Sequence, residues 1–167
     1  MSVKLDYEDI ANRTHNNAVD LLTDAQLLIK SNRFPRAFFL ACLSLEELGK
    51  SQITLDYING ETPKETFDKA FSGGVAHILK LAYQYRWKVL STKTGKTMAS
   101  IKYDLDRGRA LQTLKEQSLY AQKKNDIEHD WKTLAEEMIE YVDSWLYNIL
   151  CAEWLNSPKR GSKALYK

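Results

Sequence analysis

Residues that break regular structure are scarce in this chain of 167: it has three prolines and seven glycines. So low a content excludes collagen-like and low-complexity chains and leaves room for long uninterrupted elements. Cysteine is scarcer still, at Cys42 and Cys151 alone, which excludes a disulfide-dense secreted scaffold. Both lie inside apolar helical patterns without metal-type spacing, so buried free thiols in a reducing cytoplasm are expected. No apolar run approaches the roughly eighteen residues that a membrane span needs. The opening Met1-Ser2-Val3-Lys4-Leu5-Asp6 turns polar and acidic without a cleavage site, so no signal peptide is expected. The length suits one domain with a sizeable core, expected over residues 1–157, followed by a flexible basic tail at 158–167.

The net charge of +2 hides a strong pattern: −3 over residues 1–79, +8 over 80–124, −7 over 125–153 and +4 over 154–167. The central basic stretch either faces a polyanion or lies beside the acidic C-terminal helix and is neutralised there.

Helical periodicity dominates, and no strand pattern, repeat or low-complexity segment stands out. Ile10, Ala18, Leu21, Leu22, Ala25, Leu28 and Ile29 mark a first helix over 6–31, with Thr14 and Asn17 on the same stripe. Ser31 to Pro35 is a tight connection, with Pro35 suited to the first turn of a second helix over 35–59. That helix is apolar on nearly every side from Ala37 to Leu45, as a surrounded helix would be, and Asn59-Gly60 ends it. Thr62-Pro63-Lys64-Glu65 reads as a capping box opening a third helix, broken at Gly73-Gly74 and resuming from Val75 to about Leu90. Residues 91–97 read as an exposed loop and 99–120 as a weakly periodic, charged fourth helix. A second capping box, Asn125-Asp126-Ile127-Glu128, predicts the start of the last helix. Trp131, Leu134, Met138, Tyr141, Val142, Trp145, Ile149 and Ala152 hold its stripe for six turns. The expected fold is a single all-α bundle of about five helices.

Two look-alikes fail. Gly49-Lys50-Ser51 and Gly95-Lys96-Thr97 resemble the end of a phosphate-binding loop, but the glycine needed five residues earlier is Ser44 or Leu90. The three histidines are far apart, and none has a metal-ligand partner at helical spacing, so neither a metal nor a cofactor is expected.

Two polar groupings remain. Glu46 sits among Phe39, Cys42, Gly49, Lys50 and Ile53, so its carboxylate should be buried and need a partner. Lys50, four residues on, is the expected one. Gly49 costs about 1 kcal/mol in a helix interior, which a close crossing by another helix would explain. The Glu46–Lys50 pair either fixes helix packing, with Asn17, or lines a polar pocket. His77 and Lys80, three residues apart, read as a solvated basic face or as part of that pocket.

The second grouping is Lys123-Lys124-Asn125 followed by His129. With Asn125 as cap, His129 falls in the first turn of the last helix, where the helix dipole disfavours imidazolium. A neutral His can take a proton from a ribose 2′-hydroxyl, and Lys123 and Lys124 could hold the phosphate. The alternative is an exposed first-turn residue.

Several stretches resemble the AbiV-type abortive-infection proteins, a branch of the HEPN superfamily. They are Asn17 with Leu21-Leu22-Thr23-Asp24-Ala25, Arg36-Ala37, and Leu45-Glu46-Glu47-Leu48-Gly49-Lys50. His77-Ile78-Leu79-Lys80 and Lys115-Glu116-Gln117-Ser118-Leu119-Tyr120 follow in order, and the similarity spans roughly 8–155. The resemblance implies an HEPN-like helical bundle and a bacterial antiphage or toxin-like protein. Such a protein would be a metal-independent endoribonuclease or RNA-binding protein, as a homodimer, with an RNA substrate and a phage protein or neutralising partner. Neither membrane nor DNA is implied. It carries the catalytic roles to His129, Lys124 and Asn125, with Glu46, Lys50, His77, Lys80 and Lys123 as a second or RNA-binding cluster. The HEPN signature has Arg where this chain has Lys124, and Lys lacks the planar bidentate grip of Arg. That difference favours the alternative, a non-catalytic helical interaction or sensor module.

Overall fold

Asp6 opens the first helix, its side chain accepting from the amides of Glu8 and Asp9 at 3.1 and 3.2 Å. In the computed structural model, residues 6–72, 74–93, 96–120 and 129–156 are described, with side chains except at 87–102 and 150–156. Helix α1 (Tyr7–Lys30) buries Ala11, Thr14, Ala18, Leu22 and Ala25, a stripe at three- and four-residue steps. Asn32, with φ of 56°, turns the chain tightly into α2 (Phe34–Ile58). The two helices run antiparallel along a seam of small residues. The Ser44 hydroxyl donates to the Ala18 carbonyl at 2.6 Å, and the Ser51 hydroxyl donates to that of Ala11 at 2.9 Å. These bonds need backbones closer than large side chains would permit. Thr14 is buried and bonds the carbonyls of Ile10 and Ala11, while Asn17 is exposed and takes no part in the core.

Helix α2 is surrounded, with buried residues on all sides. It ends at Asn59, followed by Gly60 at a φ of 74°. The expected third helix is two short ones, α3 (Lys64–Phe71) and α4 (Ala76–Ala82), so six helices form among the described residues. Thr62 does not cap α3: Pro63 occupies the cap position, without a side-chain cap bond. A 3-10 turn at Tyr83–Tyr85 follows α4.

Next comes the main departure from expectation. Instead of a helix end, loop and helix start, the chain forms an antiparallel hairpin of β1 (Arg86–Lys93) and β2 (Lys96–Tyr103). The segment is rich in β-branched and aromatic residues, which suit strands, and each strand is completed by the other. The strands pair with each other and no third strand among the described residues, so the bundle itself remains all-helical. Helix α5 (Leu105–Leu119) then starts at Asp104, whose side chain accepts from the Arg107 amide at 3.1 Å.

The last helix, α6 (Trp131–Asn156), begins later than expected. Asp130 accepts from the amide and hydroxyl of Thr133 at 3.1 and 2.8 Å, the bonding of a helix cap. The 125–128 box lies outside the described residues, as does the 158–167 tail. Helix α6 buries Ala135, Val142, Leu146 and Ile149 against α1 and α2, but Tyr141 is exposed. Among the described residues no helix is long and apolar enough to cross a membrane.

Two glycines let α4 wedge between α2 and α5. A Cβ on Gly49 would run into the Lys80 carbonyl, and one on Gly108 would lie 2.5 Å from the Ile78 carbonyl. Gly49 thus marks a close helix crossing, as its place in a helix interior suggested. On an open helix face Gly→Ala stabilises by about 1 kcal/mol. Here Gly49→Ala and Gly108→Ala should each destabilise, by roughly 1–3 kcal/mol. Urea denaturation followed by circular dichroism decides; a gain in stability for either would contradict the crossing.

Candidate functional site

Glu46 lies midway along α2 and is only 3% exposed. A carboxylate so placed must be matched by hydrogen bonds or opposite charge. Lys115 of α5, itself buried, donates from Nζ to Glu46 Oε1. His77, in the first turn of α4, places Nδ1 2.7 Å from Oε2. Lys80, one turn further along α4, has Nζ 3.7 Å from the same oxygen. Three helices therefore meet on one carboxylate.

The expected partner is not among these. Lys50 lies 3.9 Å from Glu47 and holds its ammonium 5.6 Å from the centre of the Phe71 ring. The Glu46 side chain points toward α4 and α5, whereas Lys50 sits at the rim. Sequence spacing along α2 could identify the nearest cation on the same helix but not the two helices that α2 meets.

An ionised carboxylate only accepts, so the hydrogen shared with Glu46 belongs to His77 Nδ1. That leaves Nε2 free of this bond. The His77 side chain is 57% exposed, so the ring reaches solvent although its anchor is buried. Burial holds the Lys80 ammonium below the usual lysine range, opposed by the attraction of Glu46 and Glu47. Two carboxylates, Glu46 and Glu47, face three ammonium groups, Lys50, Lys80 and Lys115. Counting these five groups, the cluster carries excess positive charge, which suits an anionic ligand. One turn before Glu46, Cys42 is free and fully buried, and burial raises its thiol far above the usual range. It is a packing residue, as expected; the Cys151 side chain lies outside the described residues.

His129 belongs to a different place. It precedes the Asp130 cap rather than lying in the first turn of α6, so the dipole argument for a neutral ring does not apply. Its Nε2 is 3.1 Å from Gln117 Oε1, and its ring meets Trp131 edge-on at 5.0 Å. Lys123, Lys124 and Asn125 lie outside the described residues. Among the described residues no group of three or more His, Cys, Asp or Glu could hold a metal ion.

Lys115 is the member of the cluster that sequence reasoning did not assign. Its one signal was its place in the Lys115–Tyr120 stretch. Among the described side chains, no ion pair joins the basic residues of 80–120 to the acidic ones of α6. Arg107 and Arg109 pair within α5 with Asp104 and Asp106, and Lys132 pairs with Glu136 within α6.

A helical bundle whose central helix holds a buried Glu against a His and two Lys from neighbouring helices defines a protein with a polar site inside an all-α core. A family model described as AbiV (HEPN_AbiV) matches residues 6–149, and the chain belongs to that family. It is accordingly of the abortive-infection, HEPN type. No curated protein and no solved structure gives a significant match. Three of the stretches that carried the family resemblance, 45–50, 77–80 and 115–120, supply every member of the Glu46 cluster.

Removing one partner of a buried ion pair costs about 3–5 kcal/mol, because the other charge stays buried. Glu46→Ala should destabilise the protein by that order, and Lys115→Met added to it should recover much of the loss. Lys50→Ala should stay within about 0.5 kcal/mol of wild type. Chemical denaturation of the four proteins is the check; a Lys50→Ala loss matching that of Glu46→Ala would restore the pairing expected from sequence.

Proposed function

We propose that this protein is an abortive-infection effector that binds and cleaves RNA without a metal ion, with His77 as the proton-transferring group. The observation that carries the reading is the Glu46–His77 hydrogen bond within a cluster of excess positive charge. Glu46 holds the ring at Nδ1 and leaves Nε2 to accept a proton. Taking that proton from a ribose 2′-hydroxyl lets the 2′-oxygen bond to the adjacent phosphorus. The bond to the 5′-oxygen breaks, and that oxygen takes a proton from water. Lys80 beside Glu46 supplies positive charge toward the phosphate oxygens as their charge grows. The products would be a 2′,3′-cyclic phosphate and a 5′-hydroxyl.

A second reading places the chemistry at His129. The Gln117 carbonyl oxygen 3.1 Å from Nε2 orients that ring and leaves Nδ1 as its base. Lys124 and Asn125 would complete this site.

Wild type, His77→Ala and His129→Ala on labelled tRNA and mRNA, with chelator present, separate the readings. Expected is cleavage by wild type, unchanged within about threefold in His129→Ala and reduced by about 10²–10⁴-fold in His77→Ala. Loss in His129→Ala alone moves the site to the second reading. No cleavage by wild type at high concentration rejects the nuclease and leaves a helical interaction or sensor module.

A further inference from the structure

The hairpin β1–β2 is the one strand pair among the described residues of this helical bundle, and the Glu46 cluster draws no member from it. Its base is tied to the core. The Arg86 guanidinium lies 4.0 Å over the Tyr83 ring and 3.9 Å from Asp56. Tyr83 in turn is buried and donates its hydroxyl to Asp56. Tyr103, at the other strand's foot, packs its ring 6.0 Å from that of Tyr83. Eight residues per strand make a ribbon about 26 Å long.

Its composition is one-sided. Arg86, Lys88, Lys93, Lys96 and Lys102 lie in 86–103, and no acidic residue occurs between Asp68 and Asp104. Arg86 is engaged at the base. The register pairs Lys93 with Lys96 and Trp87 with Lys102, so alternation along the strands puts Lys93, Lys96 and Lys102 on one face of the ribbon and Lys88 on the other. A face with three lysines, in a stretch without acidic residues, suits a polyanion. The hairpin also leaves the fold three residues after α4, the helix that carries His77 and Lys80.

We propose that the hairpin is an arm that grips the RNA phosphate backbone through Lys93, Lys96 and Lys102, which share one face of the ribbon, and delivers the strand to the Glu46 cluster. This rests on the RNA reading above. The grip is electrostatic and independent of base sequence, since backbone contacts position a nucleic acid without reading it.

The test is binding of a labelled single-stranded RNA of mixed sequence, followed by fluorescence anisotropy across salt concentration. Compared are wild type, the triple variant Lys93→Gln/Lys96→Gln/Lys102→Gln, and the tip variant Lys93→Gln/Lys96→Gln. A surface control, Lys64→Gln/Lys69→Gln/Lys132→Gln, removes as much charge as the triple variant elsewhere. Each lost phosphate contact should lower the slope of log K against log salt by about 0.7, so the triple variant should lose about 2.1 and the tip variant about 1.4. Affinity should fall by roughly tenfold or more in the triple variant and within twofold in the control. The tip variant keeps the proposal testable where the triple variant does not fold. RNA binding by wild type with unchanged slope in the tip and triple variants overturns the arm and leaves the RNA reading standing. An altered oligomeric state with unchanged RNA affinity makes the ribbon an interface between copies instead. No RNA binding by wild type at low salt overturns both.

Discussion

Placing the carboxylate of Glu46 inside α2 imposes a condition on everything packed around it. An ionised group removed from water is tolerated only if opposite charge and hydrogen bonds replace its hydration. Those groups cannot come from α2, because the one cation a turn away, Lys50, sits at the rim beside Glu47. They come from α4 and α5. Lys and His side chains have fixed reach, so both helices must approach closely. Gly49 and Gly108 make this possible, each placing helix backbone where a methyl group would collide. The short length of α4 fits the same demand: it is a wedge that delivers two side chains to one oxygen.

The chemistry attributed to the site follows from this packing. A histidine that donates Nδ1 to a buried carboxylate is held in one orientation, with Nε2 left free of that bond. The surplus of ammonium groups in the same place favours an anionic ligand. Because the carboxylate is buried while His77 is more than half exposed, the arrangement has a dry anchor and a wet working end. The seam between α1 and α2 supports it from behind. Its small residues and Ser-to-carbonyl bonds hold α2 in a fixed position relative to α1.

Tyr83 links this centre to the hairpin. Buried in the cluster with Ile53, Phe67 and Leu79, it bonds Asp56 and carries Arg86 on its ring. Asp56 and Glu46 both belong to α2, so one helix anchors both the site and the foot of the arm.

Much of this was legible in the residues themselves. The periodicity of 6–31 and 131–149, the all-round apolarity of 37–45 and the stop at Asn59-Gly60 determine long helices with α2 at the centre. A lone Glu on an apolar stripe beside a helix-interior Gly announced a buried charge and a close crossing. These are properties of one helix and are written in local spacing. The strand character of 86–103 was also local but weak, since a strand needs a partner that only pairing supplies. The start of α6 lies later than Asn125 suggested because Asp130 also has cap chemistry, and it is Asp130 that bonds Thr133. Tertiary structure alone decided that Glu46 pairs with Lys115, 69 residues away, instead of Lys50 four residues away. It also separated His129 from that cluster by setting it against Gln117 and Trp131. The physical reason is common to both: helical spacing says which side chains share a face, but which faces meet depends on how closely the backbones can pack.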